Sequence, residues 1–250
     1  MKDGLYPQAR VESTHPDAVG GPVKSLPSPA LAPEIRASRP TEWPDPERRQ
    51  DSVPRWMLFA FGASGFAALI YQIVWQRVLF AAFGVNVEAV TVVVTAFLAG
   101  LGCGSLLGGW LAKAPSTALL RGFGILEASI GAFGLVSLPF FRWVGDVTLP
   151  LDPVARAMVT ALIVMLPTTL MGATLPLLVG YLVRSTGNVG RAVGILYFVN
   201  TAGSALAALA GVLFILRLLG ESHSTFLAAA INLSIGSFVF LYGIARGAEQ

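Results

Sequence analysis

Residues 90–112, VTVVVTAFLAGLGCGSLLGGWLA, form an apolar stretch that contains no aspartate, glutamate, lysine or arginine. Its length matches the roughly 20 apolar residues that a helix needs to cross a bilayer. Because the hydrocarbon core holds no water, a helix is the form in which such a segment satisfies its own backbone hydrogen bonds. The stretch therefore predicts a transmembrane helix.

The composition of the whole chain supports the same fold class. Apolar residues make up 54% of the 250 residues and charged residues 12%, whereas soluble domains carry about 25% charged residues. The net charge of +3 is small and dispersed, so we expect no nucleic-acid partner. The single cysteine, Cys103, cannot form an internal disulfide and is interpreted as a small packed residue.

Six apolar segments follow one another from Trp56 onward, separated by short links of turn-forming or charged residues. We predict an all-α integral membrane protein, with a bundle of six transmembrane helices in a domain over residues 55–246. The predicted spans are residues 56–81, 89–112, 118–143, 155–183, 192–218 and 224–245.

Residues 1–54 have a different composition from the rest of the chain. They hold ten of the sixteen prolines and eight of the fourteen acidic residues. Such a segment cannot bury enough apolar area to offset the entropy of ordering it. We interpret it as a disordered, proline-rich cytoplasmic tail, either solvated or docking to a partner.

The flanking arginines and lysines predict the orientation, because cytoplasmic loops carry an excess of these residues. Eight basic residues fall on one predicted side and four on the other, which favours a multi-pass protein of the inner (plasma) membrane with both termini in the cytoplasm. The larger set is Arg48, Arg49, Arg55, Lys113, Arg121, Arg184, Arg191 and Arg246, and the smaller set is Arg77, Arg142, Arg156 and Arg217.

Small residues recur every four positions in two of the predicted helices. The second helix carries Gly100, Gly104 and Gly108, and the fifth carries Gly203, Ala207 and Gly211. Small side chains let helix backbones approach closely in lipid. The pattern predicts helix packing, either within the chain, in a homodimer or at a sliding contact of a transporter.

Five polar residues inside the predicted spans are candidate sites, because polar groups at membrane depth usually face a bundle interior or a cavity. They are Gln72, Arg77, Glu127, Asn200 and Asn232. Counting residues from the predicted helix ends places Glu127 with Asn200 in the inner half of the membrane. The same count places Gln72 and Asn232 in the outer half, where we expect them to share a hydrogen bond.

Two further expectations concern the first helix, in the stretch LIYQIVWQR of residues 69–77. Arg77 is near the end of its predicted helix and is expected to reach the headgroups. Tyr71 and Trp75 are expected to act in packing and as anchors near the headgroups. Glu127 is left open between a structural and a functional role.

Four blocks of the sequence resemble a known family. They are GFAALIYQIVWQR (Gly65 to Arg77), FLAGLGCGSLLGG (Phe97 to Gly109), LPTTLMGATLPLL (Leu166 to Leu178) and GILYFVNTAG (Gly194 to Gly203). Together they are similar to the transmembrane module of bacterial membrane-bound spermidine synthase homologues, which fuse a major-facilitator-like segment to an aminopropyltransferase domain. The resemblance implies a membrane module. We expect this chain to lack the catalytic domain, since no glycine-rich cofactor loop is recognisable.

Two functions follow as alternatives. The chain is either a non-catalytic membrane module that anchors or scaffolds a larger assembly, or a half-transporter for a polyamine or another cationic metabolite. We predict no catalytic residue, cofactor site or metal site. The expected partners are the lipid bilayer and another membrane protein or a second copy of the chain. A soluble aminopropyltransferase-like protein is a further candidate partner implied by the resemblance.

Overall fold

The structure, a computed structural model, describes residues 53–83 and 87–248. Most of the predicted tail, residues 1–52, lies outside the described residues. Within the described ranges, all regular structure is helical and no strand occurs, so the all-α prediction is confirmed. The helices are α1 (Arg55–Phe83), α2 (Val87–Leu111), α3 (Ser116–Thr148), α4 (Pro153–Thr186), α5 (Val189–Ala210) and α6 (Leu216–Ala248), with a π-helical turn at Gly211–Ile215 between the last two.

Five helical stretches are long and apolar enough to cross a membrane. Four of them coincide with α1 to α4, and the fifth runs from Val189 to Ala248 through the π-helical turn. That last stretch has 60 residues, which is far more than the roughly 20 that one crossing requires. It contains a break at Gly220, whose φ of 70° and ψ of −176° are not helical.

The contacts of α5 and α6 with α1 show that the chain reverses direction around this break. Along α5, Gly203 lies against Gly62, and Gly211 lies against Ile70, so α5 runs parallel to α1. Along α6 the order is opposite, because Glu221 pairs with Arg77 while Tyr242 lies beside Trp56. Residues on the two sides of Gly220 therefore belong to helices of opposite direction.

Capping residues define the boundaries between α3, α4 and α5. The Asp152 side chain accepts hydrogen bonds from the backbone N–H groups of Val154 and Ala155 at the start of α4, and Pro153 occupies the first turn, where no N–H is needed. Gly187, with φ of 69°, ends α4 in the left-handed conformation. Asn188 then caps α5 by accepting from the N–H of Arg191.

Glycines allow α2 and α4 to pack with their backbones in contact. A Cβ atom at Gly104 would overlap the Thr169 carbonyl oxygen and lie 2.9 Å from Gly172 Cα. Gly108 faces Ala173, and Gly100 faces Thr168 in the same way. The glycine face of α2 thus contacts α4 of the same chain, in parallel orientation.

The bundle interior contains two groups of buried apolar residues. The Trp75 cluster includes Tyr71, Ile130 and Phe141, and the Phe61 cluster includes Phe123 and Leu182. On α1 the Phe61 cluster precedes Ser64, and the Trp75 cluster begins immediately after it. Four buried polar residues, Ser64, Glu127, Thr174 and Asn232, lie at the position between the two clusters.

Candidate functional site

Polar residues from all six α-helices lie between the Trp75 and Phe61 clusters. On each helix, residues of one apolar cluster precede the polar position, and residues of the other follow it. We call this set the polar layer. Its members are Ser64 on α1, Ser105 on α2, Glu127 on α3, Thr174 on α4, Asn200 and Ser204 on α5, and Asn232 on α6.

The Glu127 carboxylate is at the centre of this layer and is fully buried, with a relative exposure of 0%. Ser64 Oγ donates to its Oε1 atom at 2.6 Å, and Asn232 Nδ2 donates to its Oε2 atom at 2.7 Å. Both donors are themselves buried. Hydrogen bonds to a carboxylate are stronger than those between neutral groups, so this triad connects α1, α3 and α6 through one side chain.

The remaining hydrogen bonds of the layer orient hydroxyl groups. Ser204 Oγ is 3.0 Å from the carbonyl oxygens of both Gly65 and Asn200, and it can donate to either. Thr174 Oγ1 donates to the Met171 carbonyl at 2.7 Å. Because each hydroxyl has one hydrogen, these oxygens have only acceptor capacity left.

A cavity of about 350 Å³ adjoins the layer. Its walls come from α1 to α6 and combine polar and apolar groups. Six of the seven polar-layer residues line it, the exception being Glu127 itself, and Gln72 adds a further amide. Phe61, Phe97 and Tyr197 supply aromatic surface. Tyr197 is 62% exposed, so the cavity reaches the outside of the bundle beside α5.

One buried polar atom at the cavity wall has no hydrogen-bond partner. Asn232 has a relative exposure of 1%, and its Oδ1 atom is unpaired within the described part of the chain. Buried amide oxygens in folded proteins are almost always paired with protein or ordered water. Asn232 Oδ1 is therefore an unsatisfied acceptor inside the bundle, next to the Glu127 triad.

The hydrogen bond expected between Gln72 and Asn232 is not formed. In the described ranges, Asn232 donates to Glu127 instead, although Gln72 and Asn232 line the same cavity. Counting from sequence-predicted ends gave the wrong depth for Asn232, because α3 continues to Thr148 and the part of α6 after the break at Gly220 begins at Glu221, both beyond the predicted spans. The longer helices bring Asn232 level with Glu127.

The helix directions place Arg77 far from Glu127 and Asn200 close to it. Arg77 Nε pairs with Glu221 Oε1 at 3.5 Å, and Arg142 Nη2 approaches Glu221 Oε2 at 3.9 Å. In this group, near the end of α1 and away from Glu127, the two arginines are exposed and Glu221 is half-buried. Asn200 lies against Gly65, next to Ser64, and so shares the layer of Glu127.

Tyr71 and Trp75 are buried in the bundle rather than placed at its surface, with exposures of 0% and 2%. Their rings stack with centroids 4.8 Å apart, and Trp75 Nε1 donates to Ser137 Oγ at 2.9 Å. The packing role is seen, whereas the headgroup anchor is not. Tyr71 OH is buried without a partner among the described residues.

Sequence reasoning missed Ser64, Ser105, Thr174 and Ser204, because serine and threonine are common in apolar helices and carry no distinctive signal. Their shared position between two apolar clusters becomes visible only when the helices are aligned in space.

Within residues 53–83 and 87–248, no group of three or more histidine, cysteine, aspartate or glutamate side chains is placed to hold a metal ion. Comparison of the chain with protein-family models, with curated proteins and with solved structures gives no match in any of the three.

Proposed function

We propose that the chain is a non-catalytic membrane module that crosses the inner membrane six times and anchors or scaffolds a larger assembly. The direction of the helices supports six crossings. Helices α1 and α3 run the same way, since Ser64 meets Glu127 and, further along both, Trp75 meets Ser137. Helix α5 is parallel to them, since Gly203 meets Gly62 and Gly211 meets Ile70. Helix α6 returns antiparallel to α3, because Gly124 lies against Phe240 and Gly131 against Ala229.

The basic side chains support an orientation with both termini in the cytoplasm. The helix directions bring Arg77, Arg142, Arg156 and Arg217 to the end where α1 finishes. The members of the larger set within the described ranges lie at the opposite end, and they are Arg55, Lys113, Arg121, Arg184, Arg191 and Arg246. An excess of arginine and lysine is typical of the cytoplasmic side.

The observation that carries the scaffolding role is the Glu127 triad. Both carboxylate oxygens are bonded to other helices, so the acid has a complete structural role without a substrate. A buried network of this kind fixes which helices meet and in what register. The resulting rigid bundle presents large apolar side chains such as Phe198, Leu206 and Phe214 on its outer surface, where lipid or another membrane protein would cover them.

Purification in a mild detergent tests this role. The scaffold predicts a stable complex in which the 26.3 kDa chain is present in fixed stoichiometry with a second protein or a second copy. A soluble aminopropyltransferase-like partner would match the resemblance of the four sequence blocks. A chain that sediments as a monomer after in-cell cross-linking, with no adduct at any position, would contradict the scaffolding role.

The cavity favours a second candidate, a half-transporter for a polyamine or another cationic metabolite. Its polar lining includes Asn200 and Asn232, and it reaches the bundle surface at Tyr197. Uptake of labelled putrescine by proteoliposomes tests this role, with Glu127→Gln as the comparison variant. Uptake that exceeds that of empty liposomes and falls in the variant would support transport over scaffolding. Uptake equal to that of empty liposomes would reject it.

A further inference from the structure

We infer that one end of the bundle binds the headgroups of anionic lipids in preference to those of zwitterionic lipids. This inference rests on the proposed membrane module and names the lipid that covers its cytoplasmic end. The surface consists of six basic side chains, which we call the basic rim. They are Arg55, Lys113, Arg121, Arg184, Arg191 and Arg246.

The basic rim is built from the ends of all six α-helices that lie on one side. Two of its arginines also hold neighbouring helix ends together. Arg184 Nη2 donates to the Ala112 carbonyl oxygen at 2.9 Å, which joins α4 to the end of α2. Arg121 Nε donates to the Gly243 carbonyl oxygen at 3.4 Å, which joins α3 to α6. The basic groups are therefore at a common level of the bundle.

The positive charge of the rim is not balanced by the described residues. Its contacts are with neutral groups, which are backbone carbonyls and, for Arg246, the Tyr242 ring at 5.5 Å from the centroid. Four acidic side chains are described, Glu127, Asp146, Asp152 and Glu221. The first is in the polar layer and the other three are at the opposite end of the bundle. Both ion pairs among the described residues include Glu221, so none includes a rim residue.

This charge pattern distinguishes between lipid headgroups. An arginine guanidinium can bind phosphate oxygens with two parallel hydrogen bonds. A zwitterionic headgroup also carries an ammonium group, which on the rim meets like charge and no described carboxylate. An anionic headgroup such as phosphatidylglycerol has the phosphate without the cation. The rim therefore favours the anionic lipid.

Aromatic side chains place the rim at the depth of the headgroups. Trp110 is 66% exposed and lies about one turn before Lys113. Trp56, next to Arg55 in the sequence, packs against Tyr242 with ring centroids 5.0 Å apart. Tryptophan and tyrosine are enriched where a membrane protein meets the headgroups.

Charge also argues against two other occupants of the rim. A second copy of the chain presents the same positive surface and would be repelled. Residues 1–52 hold eight acidic and seven basic residues, which leaves a single excess negative charge against six cations. Anionic lipid supplies as many negative charges as the rim can hold.

Lipid titration of the full chain in a nonionic detergent tests the inference. The probes are dioleoyl phosphatidylglycerol and dioleoyl phosphatidylethanolamine, which have the same acyl chains and differ in headgroup charge. A ligand that binds the folded state raises the thermal midpoint in a concentration-dependent way, which gives an apparent Kd for each lipid. At low ionic strength we expect the phosphatidylglycerol Kd to be at least about tenfold lower. The difference should shrink in 1 M salt, where the Debye length is about 3 Å.

Arg191→Gln and Arg217→Gln form a matched pair of variants at the two ends of the bundle. Both arginines are exposed, and neither side chain has a hydrogen bond or ion pair among the described residues. Arg191→Gln should raise the phosphatidylglycerol Kd about fivefold, and Arg217→Gln less than about twofold. Combining Arg191→Gln with Arg55→Gln and Lys113→Gln should bring the Kd values of the two lipids to within about twofold of each other.

Several results would overturn the inference. They are equal Kd values for the two lipids at low ionic strength, a preference that persists unchanged in 1 M salt, or equal effects of Arg191→Gln and Arg217→Gln. The absence of a phosphatidylglycerol shift would mean that another group, such as the acidic residues of 1–52, covers the rim. A shift of the same size with inorganic phosphate alone would indicate a site for a free anion instead of a lipid.

Membrane fractionation of the same preparation separates this inference from the proposed function. A chain that is absent from the membrane fraction would contradict the membrane module itself. A chain that is extracted from the membrane only by detergent, yet binds both lipids equally, would contradict the lipid preference alone.

Discussion

The Glu127 carboxylate takes its two hydrogen bonds from residues 63 and 105 positions away in the chain. Neither partner is on a helix that is adjacent to α3 in sequence. The triad therefore specifies tertiary contacts that apolar packing alone leaves open, because leucine and isoleucine side chains can interdigitate in many registers. A buried acid is costly when it is left unpaired, so registers that separate it from Ser64 or Asn232 are disfavoured.

Asn232→Leu is predicted to destabilise the bundle by about 1–3 kcal/mol, since it leaves one buried Glu127 oxygen without a donor. A double-mutant cycle of Glu127→Leu with Asn232→Leu should give a coupling energy within about 0.5–3 kcal/mol. The cycle of Gln72→Leu with Asn232→Leu should give a smaller coupling energy. Reversible unfolding in detergent micelles measures both, and a larger coupling for the Gln72 pair would contradict the observed partners.

Trp75→Phe tests the buried aromatic group next to the layer. The change removes the hydrogen bond to Ser137 and part of the indole that packs on Tyr71. We expect a loss of about 1–3 kcal/mol in the free energy of unfolding. Trp143→Phe is the matched control, because Trp143 is 59% exposed and should change the stability little. Equal effects of the two variants would argue against a buried Trp75.

At the residue scale, the sequence identifies Glu127 as an acid within an apolar segment but does not identify the residues that donate hydrogen bonds to it. Glu127 stands out as a carboxylate within an apolar segment, and Asn232 as an amide in another. Which of them meet depends on the offset between helices, which follows from helix ends that composition locates only to within several residues. Ser64 gives no signal at all, because a serine next to glycine in a membrane helix usually serves packing.

Among the elements, α2 and α4 depend on glycine for their contact. Gly104→Leu is predicted to destabilise the bundle by about 1–3 kcal/mol or more, because the side chain has no space against Thr169 and Gly172. Gly102→Leu on the same helix is the control, since no atom lies within 4 Å of a Cβ built there. Thermal unfolding in detergent distinguishes the two variants. A normal melting profile for Gly104→Leu would mean that the α2–α4 contact is looser than described.

The return from α5 to α6 depends on Gly220. Its φ of 70° with ψ of −176° is a conformation that is essentially restricted to glycine. Gly220→Ala should cost about 1–3 kcal/mol. Gly187→Asn is the comparison, because φ of 69° with ψ of 0° is a left-handed conformation that asparagine tolerates. If both variants unfold at the same temperature, the sharp reversal at Gly220 is not present.

For the individual helices, the apolar runs predict where each helix lies in the sequence, but they underestimate the lengths of α3 and α6. The structure extends α3 to Thr148, past the predicted end at residue 143, and begins α6 before the predicted start at residue 224. The added turns contain Asp146 and Glu221, which a hydropathy reading excludes from a span. They remain helical because Asp146 is exposed and Glu221 pairs with Arg77 and Arg142.

For the whole molecule, the six helix directions connect the fold to the proposed orientation. Apolar composition predicts the helical class, whereas the number of crossings depends on how the stretch Val189–Ala248 is divided. One tilted helix of that length would give five crossings and place the start of α1 and the end of α6 on opposite sides. Division at Gly220 gives six and places the start of α1 and the end of α6 on the same side, together with Arg121, Arg184 and Arg246.

A pair of reporter fusions tests this division most directly. Alkaline phosphatase or green fluorescent protein is joined after Gly187, in the turn between α4 and α5, and after Ala248, at the end of α6. Six crossings predict that both fusions report the cytoplasmic side, with fluorescence and no phosphatase activity. Five crossings predict opposite signals, so a cytoplasmic Gly187 fusion together with a phosphatase-active Ala248 fusion would contradict the six-span bundle.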